Sequence, residues 1–114
     1  MITLGTGLGS GLIVNGDLVY GADGFAGEVG HTTIGRGTRT CGCGGIGHLE
    51  AYCSATGMKR TVFELLAKYN SIESELASIP FNEMNSKIVF DAAERGDKLA
   101  KEVFEVTGTL LGEA

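Results

Sequence analysis

Four side chains that bind soft metals fall within an eighteen-residue stretch: His31, Cys41, Cys43 and His48. Thiolate sulfur and imidazole nitrogen are the usual donors to tetrahedral zinc, and four such groups complete its coordination. Nine residues intervene between His31 and Cys41, one between the two cysteines, and four between Cys43 and His48. Glycines at 42, 44, 45 and 47 let the backbone fold tightly around an ion. A metal would also explain how residues 35–47 become ordered, since Ile46 is their one apolar side chain apart from the cysteines. Binding of this kind adds directly to folding free energy. The plain alternative is two reduced loop cysteines and two unrelated histidines. Cys53 reads as a small buried helix residue, and it is the substitute donor should His48 not ligate.

Two acids bracket this cluster, Glu28 three residues before His31 and Glu50 two residues after His48. Carboxylates gathered around one ion can accept hydrogen bonds from adjacent hydroxyls of a sugar. Taken singly, each is a solvated surface charge. Glu73, Glu75, Glu94 and Glu102 fall on the polar faces of expected helices and read as solvating.

A third feature is the run Gly5-Thr6-Gly7-Leu8-Gly9-Ser10-Gly11. Without Cβ atoms, a turn through Gly5, Gly7 and Gly9 lets backbone N–H groups approach an anion, and Thr6 and Ser10 add hydroxyls. No Gly-Lys-Ser/Thr follows, so this is not a Walker A loop, and the spacing also fails the dinucleotide-binding fingerprint. A glycine-rich hairpin bend without a ligand fits the spacing equally well.

The elements that must position these groups divide the chain in two. All of its nineteen glycines except Gly96, Gly108 and Gly112 lie in the first 57 residues, and the whole share is more than twice the average of about 7%. The second half is rich in Ala, Glu, Lys and Leu. Residues 1–47 are therefore expected as strands, glycine loops and the metal loop, and residues 48–114 as a helical segment. Ile2–Leu4, Leu12–Val14 and Asp17–Tyr20 read as an antiparallel meander of three strands, with Asn15-Gly16 as a hairpin turn. His31–Ile34 reads as a further short strand. Met58, Val62, Phe63, Leu65, Leu66 and Tyr69 recur at helical spacing and predict a helix over residues 56–69. Asn85 or Ser86 can cap a helix that runs to about Arg95, and Asp97 can cap the next after Gly96. The last apolar face is still running at Ala114 and a strand starts at residue 2, so both ends look cut.

The chain has 114 residues and a formal charge of −5, which suits one modest soluble domain and argues against nucleic-acid or anionic-membrane binding through this segment. There is no basic, apolar leader and no apolar run of the ~20 residues that span a bilayer. The expected location is the cytoplasm, where three cysteines read as a metal site plus a spare thiol.

Taken in order, Gly5–Gly11, the run Gly24-Phe-Ala-Gly-Glu28-Val-Gly-His31 and the run Cys41-Gly-Cys43-Gly-Gly-Ile-Gly-His48-Leu-Glu50 closely resemble the ROK family. That family joins bacterial glucokinases and related sugar kinases with sugar-responsive transcriptional repressors. The resemblance covers nearly the whole chain, and Glu50–Gly57 looks like the glucokinase branch. It implies an α/β chain forming part of an actin-like (ribonuclease H-like) ATPase fold, within the C-terminal domain. It implies that Gly5, Thr6, Gly7 and Gly9 belong to the second phosphate-binding loop, and that Glu28, His31 and Glu50 contact sugar hydroxyls. His31, Cys41 and Cys43 would ligate structural zinc. The family normally has a third cysteine where this chain has His48. Imidazole is a sound fourth ligand, but the backbone must accommodate a longer, differently angled side chain.

The family's general-base aspartate, its Asp-x-Gly-Gly-Thr phosphate loop and its adenosine segment are expected outside this chain, so none of its residues is assigned a catalytic role. The resemblance thus implies a longer ATP- and Mg-dependent hexose kinase, with glucose favoured, assembled as a homo-dimer or tetramer, and a segment inactive alone. The rival reading is a sugar-sensing repressor of the same family, its DNA-binding domain outside this chain. A purely structural zinc domain would leave Glu28 and Glu50 without a role.

Overall fold

A computed structural model describes every residue except Arg36 and Ser71. The first half is built from two small hairpins. Strands β1 (Ile2–Leu4) and β2 (Leu8–Ser10) pair antiparallel with Leu4 opposite Leu8, and β3 (Ile13–Val14) pairs with β4 (Asp17–Leu18). Asn15 and Gly16 turn the second hairpin with φ of 52° and 87°, the left-handed pair that a type I′ turn requires.

The expected three-strand meander is therefore two separate hairpins. The glycine run is half strand: Gly9 faces Thr3 across β1–β2, and a Cβ on Gly9 would lie 2.8 Å from Thr3 Oγ1. Glycine here serves close strand approach rather than a loop. His31–Ile34 also differs from expectation, because Val29–His31 forms one 3-10 turn. Gly30 is buried against Leu8, whose carbonyl would stand 2.7 Å from a Cβ, so the chain coils over β2 at this point. Thr33 then makes a lone bridge to His48, while Ile34 N donates to Gly47 O and Leu49 N to Thr32 O.

The helical half follows its caps. Helix α1 (Glu50–Cys53) stops at Ser54, whose extended backbone breaks the helix and whose hydroxyl accepts from Gly57 N to start α2 (Ala55–Lys68). Asn85 accepts from Ile88 N and opens α3 (Ser86–Glu94). After Gly96, at φ 92°, Asp97 accepts from Ala100 N and opens α4 (Lys98–Glu113). A 3-10 turn at Glu75–Ser78 was not expected from periodicity. Asp97 holds it by accepting from the Ser74 hydroxyl and the Glu75 amide. No helix among the described residues is long and apolar enough to cross a membrane.

Val62, Leu76, Val89, Leu99 and Val103 form the fully buried centre of the helical core, with Met58, Leu65 and Met84 around them. A second cluster of Leu8, Leu49 and Cys53, backed by Val29, Leu110 and Leu111, fastens the first hairpin to the helices.

Two outcomes follow from these contacts. Leu99→Ala opens a cavity in the core and should cost about 2–5 kcal/mol in urea unfolding. Asp97→Ala removes a cap worth about 0.5–2 kcal/mol at neutral pH. Burial pushes the Asp97 carboxyl up, but hydrogen bonds from Ala100, Ser74, Glu75 and Leu99 outweigh it and hold the group below its usual range. Its stabilisation is thus present above the unfolded value of about 3.9 and is lost as pH falls through the lower folded value. The gap between wild type and Asp97→Ala should close as unfolding is repeated at successively more acid pH.

Candidate metal centre and its carboxylate flank

The metal loop is anchored from behind by Arg39, which is 7% exposed. Its guanidinium donates to Ala51 O and Gly57 O, to Thr61 Oγ1, and to both carboxylate oxygens of Glu64. It also lies 4.5 Å above the Tyr52 ring, and the Tyr52 hydroxyl accepts from the amides of Thr38 and Arg39. A planar fork with five donors is suited to tie loop, α1 and α2 together at one point. Sequence inspection gave no sign of this role, because an arginine two residues before Cys-x-Cys looks like a solvated charge. Arg60 adds a second tie by donating to Thr40 O.

On this support the loop turns tightly. Cys41 N donates to Gly45 O and Gly44 N to Cys41 O, with Gly44 at φ 93°. Gly37 and Gly47 cross so closely that a Cβ on Gly37 would lie 2.7 Å from Gly47 Cα. The bridge between Thr33 and His48 brings the two histidines together.

The four expected donors converge. His31 Nδ1 and His48 Nδ1 are 3.4 Å apart, Cys43 Sγ and His48 Nδ1 3.3 Å, and Cys41 Sγ and His31 Nδ1 3.9 Å. All four ligand atoms lie within 4.8 Å of one another. Zinc bonds of about 2.0–2.1 Å to nitrogen and about 2.3 Å to sulfur set tetrahedral donors roughly 3.3–3.8 Å apart. The donor set and its spacing therefore fit a metal such as zinc. Cys41 is buried and Cys43 exposed, so the site is open on one side. Cys53 stands apart from this cluster. It is buried, its thiol donates to Thr107 O, and burial raises its pKa while the Arg39 charge opposes the rise.

The two flanking acids sit differently. Glu28 is exposed, with Oε2 3.8 Å from His31 Nε2. Glu50 is half-buried and bridges two features: Oε2 accepts from Leu8 N at 2.8 Å, and Oε1 lies 3.7 Å from Cys41 Sγ. A Cβ on Gly7 would come within 2.5 Å of Glu50 Oε2, so Gly7 makes room for this carboxylate. The glycine hairpin also docks on the start of α2, through Ala55 N to Gly5 O and the Thr56 hydroxyl to Thr6 O. A cavity of about 160 Å³ opens where hairpin, metal loop and helix meet, lined by Thr6, Cys41, Glu50, Thr56 and Arg60 among others. Ser10 does not add a spare hydroxyl to this hairpin. It donates to Gly27 O and accepts from Val29 N, holding the Gly24–His31 segment instead.

Fold and site together define a mixed α/β segment with a potential His2Cys2 metal centre beside a carboxylate-latched glycine hairpin. The chain belongs to the ROK family, whose model matches residues 1–114. It is 38% identical over 115 residues to a glucokinase of Halalkalibacterium halodurans, covering 100% of this chain and 35% of that protein. It is 32% identical over 114 residues to the DNA-binding transcriptional dual regulator NagC of Escherichia coli, covering 99% of this chain and 27% of the regulator. Among solved structures it matches a ROK family glucokinase from Streptomyces griseus in complex with glucose and AMPPNP. The TM-score is 0.81 at 30% identity, over 97% of this chain and 36% of that one. The chain thus spans about a third of the length of the glucokinases it matches.

Arg39→Lys tests the anchor. An ammonium cannot replace the fork, so the variant should lose about 1.5–3 kcal/mol in urea unfolding. A variant as stable as wild type would show that the guanidinium network carries no weight.

Proposed function

We propose that this chain is the metal- and sugar-binding segment of a longer ATP-dependent hexose kinase, part of the C-terminal domain of an actin-like ATPase fold. Glucose is the favoured substrate. Glu28, His31 and Glu50 receive the sugar hydroxyls, and the hairpin through Gly5, Thr6, Gly7 and Gly9 faces the ATP phosphates. His31, Cys41, Cys43 and His48 hold zinc, which when bound supplies a fixed charge and locks the loop. The general base and the rest of the nucleotide and Mg site belong to the longer protein, so the segment alone is inactive. The longer protein works in the cytoplasm as a homo-oligomer.

The observation that carries this reading is the position of Glu50. Its carboxylate is hydrogen-bonded to the hairpin amide of Leu8 and stands beside Cys41 Sγ. Phosphoryl transfer depends on holding acceptor hydroxyl and phosphate in register, and one carboxylate shared by the two sites favours that. The higher identity to the glucokinase than to NagC, 38% against 32%, supports a kinase over a sugar-sensing repressor.

The test is ATP-dependent phosphorylation by the longer protein across glucose, mannose and N-acetylated hexosamines, with the 114-residue chain in parallel. Turnover by the longer protein alone is expected. Glu50→Gln should weaken sugar binding roughly 10–100-fold, the value of a charge-assisted hydrogen bond. No turnover with any sugar from a folded, metal-loaded protein would favour the repressor instead.

A further inference from the structure

The His48 ring occupies the space that a side chain at position 45 would need. A Cβ on Gly45 would lie 2.6 Å from His48 Nε2 and 3.0 Å from Nδ1. The backbone cannot move aside readily, because Gly45 O accepts from Cys41 N at 2.7 Å and closes the turn that carries both cysteines. Gly45 is not among the positive-φ residues; its neighbour Gly44 is. Conformational freedom is thus not what position 45 requires. It requires the absence of a side chain.

We infer that Gly45 is a positioning residue for the metal centre, and that its missing side chain is what admits His48 as an Nδ1 ligand. This inference rests on the metal reading above and deepens it. Nδ1 is the ring nitrogen nearer the backbone, so bonding through it holds the imidazole close to its own main chain and lays the rest of the ring over residue 45. Nδ1 of His48 is the atom found 3.3 Å from Cys43 Sγ and 3.4 Å from His31 Nδ1. The consequence is specific. In the metal-free protein a ring is the free end of a side chain and can swing away from a methyl at 45. In the metal-bound protein it cannot. An alanine at 45 therefore acts on metal affinity, and only weakly on the metal-free fold.

The experiment is stepwise addition of cobalt(II) to the metal-free protein, followed by competition with zinc, with melting of the metal-free forms as the folding control. Wild type should bind one cobalt in the tetrahedral visible spectrum, with charge-transfer absorption from two thiolates. Gly45→Ala should bind roughly 10–100-fold more weakly, the usual cost of disturbing a ligand's support, while melting like wild type without metal. Gly108→Ala in α4 is the control, because a Cβ there meets nothing within 4 Å and the position lies outside the metal loop, and it should bind like wild type. In the His48→Cys background the same Gly45→Ala change should cost little, since the shorter side chain leaves position 45 clear. Equal loss in both backgrounds, or no loss in either, overturns the role of Gly45 even if one variant is poorly folded. Wild-type affinity in His48→Ala overturns His48 as a ligand. Failure of wild type to bind cobalt or zinc would overturn the metal reading itself, a result distinct from the others.

Discussion

The arrangement depends on one buried cation. Arg39 is placed where a loop whose one aliphatic side chain, Ile46, is exposed must meet two helices, and its guanidinium serves as the packing that the loop lacks. Burying a charge is costly unless each donor finds an acceptor. Here the acceptors are two main-chain carbonyls, a threonine hydroxyl and a carboxylate, from both sides of the Ser54 break. The cation therefore fixes the angle between α1 and α2 as well as the position of the loop. Glu50 begins α1, so its carboxylate inherits its place from the same contact.

A chain of short connections follows from that anchor. Glu50 reaches the glycine hairpin through Leu8 N, the hairpin holds Gly27 and Val29 through Ser10, and Val29 opens the turn that ends at His31. His31 returns to His48 within the His/Cys cluster. The route is closed, and apart from the local turn at Val29–His31 its steps are polar contacts between residues 17 to 42 positions apart in sequence. Glycine makes room at three close contacts along it: Gly7 under Glu50, Gly30 under Leu8 and Gly45 under His48.

Much of this was legible in the sequence, for local reasons. Asn85 and Asp97 are read as caps because a cap bonds within its own turn, and α2–α4 follow from helical spacing. The convergence of His31, Cys41, Cys43 and His48 could be expected because metal ligands declare themselves by type. What was illegible depends on distant partners. Strand β2 hides in a glycine run because its pairing with β1, not its own propensity, makes it a strand. The Val29–His31 turn is set by Leu8, twenty-two residues before Gly30. Arg39 finds its acceptors 12 to 25 residues downstream, and no spacing rule points to carbonyls.

Leu8 faces two ways, and that constrains how the hairpin moves. Its amide is held by Glu50 while its side chain, 5% exposed, is packed against Leu49 and Cys53. Swinging the hairpin open would have to withdraw a leucine from the core, at about 1.5–3 kcal/mol, together with the loss of a charge-assisted hydrogen bond. Excursions of that height are populated at a few per cent or less. The hairpin is therefore a fixed jaw, and any closure around a ligand must come from whatever lies across from it.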